Sequence, residues 1–280
     1  MKESAMGVNI EKIRPASQIG ELIRYKDLIR SLVIRDLKVR YKSSVLGFIW
    51  SLLNPLLMMV VFTFVFTIIL PSGKEDFPIF FLAGLLPWQF FANSVAMTTR
   101  SIVDNAHLIK KVYFPREVLP LAGVLSNLVN FLLALAVFFA LSPFFRMRVT
   151  VWIFLLPLIL LIQLLFTLGL AFVLCTANVF YRDTQHIMDT LMLLWFFLTP
   201  IFYSLEDMQP ALSGLSLDLR NLIYTLNPMA SLIKAYRAVL YYGRAPSLKR
   251  LGMTLLISLL VFVAGSLVFD RYDSLFSEEV

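Results

Sequence analysis

Five long stretches of the chain carry no charged residue, and short charged islands separate them. They run from Val45 to Leu70, Phe77 to Thr98, Val118 to Phe145, Val149 to Tyr181 and Leu251 to Phe269. A helix that crosses a bilayer needs about 20 consecutive apolar residues, so each stretch predicts a membrane span. The fourth is long enough to require tilt or an extension beyond the bilayer. A shorter stretch, Thr190 to Ser204, contains Pro200. It predicts a sixth span whose far end is broken by the proline, which removes a backbone donor and clashes with the preceding turn.

Two segments follow other patterns. From Ile19 to Lys42 the apolar residues Leu22, Tyr25, Leu28, Ile29, Leu32, Val33, Leu37 and Tyr41 recur mostly at steps of three and four. Arg24, Arg35, Lys38 and Lys42 are interleaved with them. This predicts an amphipathic helix lying in the membrane interface, apolar side in lipid and basic side at the headgroups. Residues 221–242, "NLIYTLNPMASLIKAYRAVLYY", are apolar but interrupted by Pro228, Lys234 and Arg237. Two cations inside the run make a true span costly. The expectation is a re-entrant helical hairpin that lines or caps a pathway. The predicted fold is therefore an all-α integral membrane protein of six transmembrane helices. A cytoplasmic arm (1–44) precedes a transmembrane domain (45–270), and a cytoplasmic tail (271–280) follows.

Composition agrees with this reading. The chain of 280 residues is 59% hydrophobic and 15% charged, against roughly 25% charged in soluble domains. The net charge of +7 fits an anionic membrane face better than nucleic acid. Basic residues also orient the spans. Residues 1–44 hold ten Lys/Arg, 99–117 hold four, and Arg182 and Arg271 join them, against nine on the other side. The positive-inside rule then places both termini in the cytoplasm, and no cleavable signal peptide is evident at the N-terminus.

Several chemistries are missing from the sequence. No GxxxxGK[ST] phosphate loop occurs, so ATP binding of that kind is not expected here. His107 and His186 lack metal-type partners in sequence. Cys175 lies in an apolar run and reads as a packing residue. No carboxylate lies deep in a predicted span, which disfavours a proton or sodium relay. Any transport by this chain draws its energy from elsewhere. A membrane enzyme acting on lipid-linked sugars is the competing class, with Asp183 and Glu117 as its acidic candidates. Each has an adjacent arginine and reads as structural.

The stretches "IRDLKVRYKSSVLGFIWSLLNPLL" (34–57), "LIKKVYFPREVLPL" (108–121) and "ANVFYRDTQHI" (177–187) together resemble the membrane subunits of ABC-2 type (type V exporter-like) polysaccharide exporters. These carry O-antigen, capsular polysaccharide or wall teichoic acid. The resemblance implies a homodimer in a bacterial inner membrane. Two copies of a separate ATPase subunit would bind ATP and Mg, with no cofactor in this chain. The substrate would be an undecaprenyl-pyrophosphate-linked glycan passed through a channel between protomers. Substrate entry would involve Arg40, Tyr41, Lys42, Leu46 and Gly47. Residues 199–204 and 224–232 would form the outer gate, which within the wider region 200–250 draws on Pro200, Pro228, Lys234 and Arg237. Trp50, Trp88, Trp195 and Tyr203 are candidates to stack on sugar rings in the channel.

The proline-marked ribbon 105–121 lies between the second and third predicted spans. Asn105 to Phe114 leaves room for about two and a half helical turns, with Asn105 as the cap. Lys110 and Lys111 would face water or a partner, and Leu108, Val112 and Tyr113 supply apolar contact. The resemblance implies a coupling helix seated in the ATPase, its push passing through Arg116 and Glu117 into the third span.

Overall fold

The computed structural model describes residues 24–42, 49–70, 73–145, 150–205 and 219–280. Leu46 and Gly47 of the expected entry segment lie outside the described residues, as do the first 23 residues of the arm.

The described residues form helices and connecting turns, without strands. In chain order they are α1 (Lys26–Tyr41), α2 (Ile49–Phe64), α3 (Phe77–Thr99), α4 (Ser101–Asp104), α5 (Ala106–Ile109), α6 (Val118–Leu141), α7 (Leu156–Phe180), α8 (Thr184–Leu198), α9 (Leu219–Leu226), α10 (Pro228–Leu240), α11 (Leu248–Tyr272) and α12 (Phe276–Glu279). Among the described residues five helical segments are long and apolar enough to cross a membrane: Leu52–Ile69, Phe77–Thr99, Val118–Leu141, Val151–Phe180 and Leu248–Glu279. They coincide with the five charge-free stretches.

The predicted sixth span takes a different form. Helix α8 starts six residues earlier than expected and has 15 residues, about 22 Å of rise against a hydrocarbon core of about 30 Å. It ends at Leu198, and Thr199 is already extended, as steric contact with the ring of Pro200 favours.

Helix α3 is the centre of the bundle. It is apolar on all sides and mostly buried, the pattern of a helix enclosed by others. Phe81, Phe91 and Val95 on it are fully buried. Helices α2, α6, α7 and α10 pack around it. The closest helix pair is α7 with α11. A Cβ on Gly169 would lie 2.5 Å from the Phe262 backbone nitrogen, and one on Gly265 would strike the Gly169 carbonyl. Only glycine lets these two backbones approach so closely.

The bundle has two ends. At the near end, which carries residues 100–117, Leu32, Ile102, Ile109, Phe114, Phe269 and Phe276 belong to one apolar cluster. It joins α1, the ribbon, α11 and the C-terminal tail. The apolar side of α1 was expected in lipid. It instead packs on α6 and this cluster, with Leu32 buried and Leu28, Ile29 and Val33 against the same cluster. At the far end Thr150 donates to Gly243 O at 3.1 Å and Tyr241 to Glu75 O at 2.5 Å. These bonds gather the starts of α3 and α7 at the end of α10.

Candidate functional site

Three places in the bundle collect the polar chemistry. The first is the ribbon at the near end. Instead of one helix over 105–114, it folds as the single turns α4 and α5, followed by irregular backbone from Val112 to Pro115. Asn105 makes no side-chain cap. Its amide donates to Ser101 O at 2.7 Å, and its carbonyl oxygen accepts from Arg35 Nη1 at 2.9 Å. A partner 70 residues away on α1 thus takes the group expected to cap the helix.

Ile109 and Phe114 are buried and anchor the ribbon, while Lys110, Lys111 and Val112 are exposed and Tyr113 is 94% exposed. Leu108 and Glu117 are half-buried. Arg116 turns away from the tip. It pairs with Asp273 at 3.4 Å and donates to Ser277 Oγ at 3.4 Å. It therefore ties the ribbon to the C-terminal tail as well as standing before the third span.

The second place is a cavity of about 590 Å³ along the near half of the bundle, between α2, α3 and α6. Arg40, Arg100 and Trp50 line it with the carboxamides of Asn54, Gln89, Asn93, Asn127 and Asn130. Arg40 Nη1 donates to Asn127 Oδ1 at 2.9 Å. Arg40 also borders a second cavity of about 400 Å³, which lies against α1 and includes Arg35, Asp36 and His107. One arginine thus stands on the wall between the groove beside α1 and the cavity within the bundle. Lys42 is exposed at the end of α1, and Tyr41 is the last residue of that helix. The sequence singled out Arg40 but missed Arg100 and the carboxamides, whose spacing along α3 and α6 carries no motif.

The third place is the far end. Arg237 is only 5% exposed. Its guanidinium donates to Phe80 O at 3.2 Å, Pro200 O at 2.6 Å, Tyr203 O at 3.2 Å and Ile201 O. The turn after α8 leaves carbonyls without helical partners, and one charged fork satisfies several of them. Gly84 makes room for it, since a Cβ there would sit 2.8 Å from Arg237 Nη2. Arg237 was expected to line the gate beside Lys234. It is folded inward and fastens the α8 turn to α3.

Pro228 opens α10 at a position where its missing donor costs nothing. Asn227 before it accepts from Ala230 N at 3.2 Å and from Trp195 Nε1 at 3.0 Å, and donates to Thr199 Oγ1 at 2.9 Å. Tyr236 donates to Gln163 Oε1 and Gln163 to Pro87 O, each at 2.8 Å. Helix α10 is thereby bonded to α7, α8 and, through Gln163, α3.

The candidate sugar-stacking aromatics divide. Trp88 is buried in a ring cluster with Phe91, Trp195 and Phe196, so in this arrangement it is a core residue of the single chain. Trp195 is half-buried and held by Asn227. Tyr203 is half-buried and donates to Phe197 O at 3.0 Å. Trp50 alone of the four lines the polar cavity.

Known proteins resemble the chain over most of its length. The sequence profile of the family described as "ABC-2 type transporter" matches residues 27–241. The O-antigen export system permease protein RfbA of Myxococcus xanthus is 39% identical over 262 residues, covering 94% of this chain and 98% of the relative. A protein of the same name from Klebsiella pneumoniae is 33% identical, covering 90% and 94%. The polysialic acid transport protein KpsM of Escherichia coli is 23% identical, covering 85% and 92%.

Proposed function

This chain belongs to the ABC-2 type transporter family, and from that premise we propose how it works as the membrane subunit of a polysaccharide exporter. It is a transporter permease and not an enzyme. Its relatives along nearly its full length are O-antigen export permeases, with capsule exporters more distant.

The single observation that carries the working model is the ribbon. Buried Ile109 and Phe114 anchor it, and Tyr113 projects from it into solvent. An apolar, aromatic tip preceded by two lysines suits a groove on a protein partner. We assign that partner as the separate ATPase subunit, two copies serving a homodimer of this chain. ATP and Mg bind there, and no cofactor is assigned to this chain. The bacterial inner membrane holds the complex, with both termini and the ribbon on the cytoplasmic side.

The 590 Å³ cavity is the receiving site for the charged end of the substrate. Two arginines attract a pyrophosphate, and the carboxamides offer donors and acceptors to sugar hydroxyls. A carrier of the undecaprenyl-pyrophosphate kind would approach along α1, meet Lys42 and Arg40, and turn inward past Trp50. The glycan then leaves by the far end, where α10 and the α8 turn form the outer gate.

Reconstitution tests this reading. Proteoliposomes holding the chain and its ATPase should move a lipid-linked glycan across the bilayer when ATP is supplied, and neither subunit alone should do so. Turnover of the lipid-linked sugar by the chain alone, without transfer, would contradict it.

A further inference from the structure

One contact closes the boundary between the two near-end cavities. Among their described lining residues, Arg40 and Met97 are shared by both. Gly123 lines the groove beside α1, and Asn127, one turn further along α6, lines the cavity within the bundle. Three side chains meet there. Arg40 Nη1 donates to Asn127 Oδ1 at 2.9 Å and Arg40 Nη2 to Met97 Sδ at 3.4 Å. Asn127 Nδ2 in turn donates to Gly123 O at 3.0 Å and reaches Met97 Sδ at 3.5 Å. The groove of about 400 Å³ and the cavity of about 590 Å³ thus meet at a partition built on one cation.

The two halves of the partition differ in freedom. Asn127 is 2% exposed and bonded to the carbonyl of Gly123 on its own helix, so close packing fixes it. Arg40 is exposed and is the last residue but one of α1. An exposed side chain changes rotamer within about nanoseconds. The acceptors that hold Arg40 are a neutral carboxamide and a thioether, and a thioether accepts only weakly. A phosphate oxygen binds a guanidinium more strongly, through charge-assisted and often bidentate bonds. An arriving phosphate therefore outcompetes these acceptors, and a neutral molecule does not.

We propose that Asn127 is a positioning residue that, with Met97, holds Arg40 as a shutter between groove and cavity, released by the phosphate-bearing head of a lipid-linked substrate. This rests on the reading of the inner cavity as the receiving site, and adds that entry begins by breaking the Arg40–Asn127 bond. A ligand whose binding group is free for only part of the time has its affinity reduced by that fraction. Removing the Asn127 side chain therefore strengthens binding, although it takes a polar group from the cavity wall. A residue that only bound the substrate would act in the opposite sense.

The test is calorimetric titration of geranyl pyrophosphate, a short isoprenyl pyrophosphate, into the purified complex of this chain with its ATPase, free of nucleotide. Geraniol is the neutral probe. Asn127→Ala should lower the dissociation constant of the pyrophosphate about fivefold, and Arg40→Ala should raise it. The double variant should match Arg40→Ala alone, because without Arg40 there is nothing to release. Geraniol should bind the parent and Asn127→Ala equally. Asn127→Ser, polar but too short to reach the guanidinium, takes the place of the alanine variant if that one does not assemble. A dissociation constant that rises or stays unchanged on replacing Asn127 overturns the shutter. So does an equal gain with Arg40 absent, or with geraniol as the ligand. Tightening that depends on Arg40, in a complex that exports no glycan, supports the shutter and removes only the transport reading. ATP-driven export without that tightening keeps the transport reading and overturns the shutter.

Discussion

The guanidinium of Arg237 lies 3.7 Å from the centre of the Phe80 ring and donates to the carbonyl of that same residue. One residue of α3 thus offers both a π-face and a lone pair to a cation 157 positions away in sequence. The same cation reaches the turn after α8, so three elements share it. Replacing Arg237 by Ala leaves several buried carbonyls without donors, each costing about 1–3 kcal/mol. The detergent-solubilised chain should lose at least ~3 kcal/mol of stability, read as a lowered thermal midpoint. Arg237→Lys should restore little, because an ammonium lacks the planar fork. Gly84→Ala should act in the same direction by displacing the guanidinium.

Gly169 and Gly265 form the backbone contact between α7 and α11. Gly265→Leu should separate the helices and cost about 1–3 kcal/mol or more, as overpacking does. Gly252→Leu, on the same helix with nothing within 4 Å of its added Cβ, should leave the midpoint unchanged. Equal behaviour of the two variants would mean that the close crossing contributes nothing.

Arg40 sits on the wall between the groove beside α1 and the inner cavity. Arg40→Ala should remove an attraction of about 1 kcal/mol for a phosphate-bearing head, roughly a fivefold change in half-saturation. Lys42→Ala should act in the same direction. The readout is the concentration of lipid-linked substrate that half-maximally stimulates ATP hydrolysis, with the complex still assembled.

Topology is open to thiol labelling. Cys175 is fully buried, so a Cys175→Ala background should be tolerated. In intact cells Arg244→Cys should react with a membrane-impermeant reagent, and Lys111→Cys should react only after permeabilisation. The reverse pattern would invert the assigned orientation.

The five long helices were legible in the sequence because each fills an uncharged run, and lipid leaves a chain few alternatives to a helix. Their ends were less so. Helix α11 runs from Leu248 to Tyr272, beyond its charge-free stretch, since Lys249, Arg250, Asp270 and Arg271 interrupt apolarity without breaking a helix. The ribbon's exposed tip was legible from its prolines and lysines, but its internal path was not. Asn105 carries a good capping side chain, and nothing local announces that Arg35 will claim it. Arg237 was legible as a cation in an apolar run. Three of the carbonyls it binds, those of Pro200, Ile201 and Tyr203, belong to the turn that Pro200 opens, and such partners leave no mark in side-chain patterns.

The central claim is that the ribbon tip transmits the ATPase stroke, and cross-linking tests it most directly. Tyr113→Cys in the Cys175→Ala background should form a cross-link to the ATPase chain in the assembled complex, and not to a cysteine at Arg244. Tyr113→Ala should leave ATP hydrolysis running while glycan export falls about tenfold or more. A complex that exports at the parent rate with Tyr113→Ala, and that forms no cross-link at this position, would contradict the account.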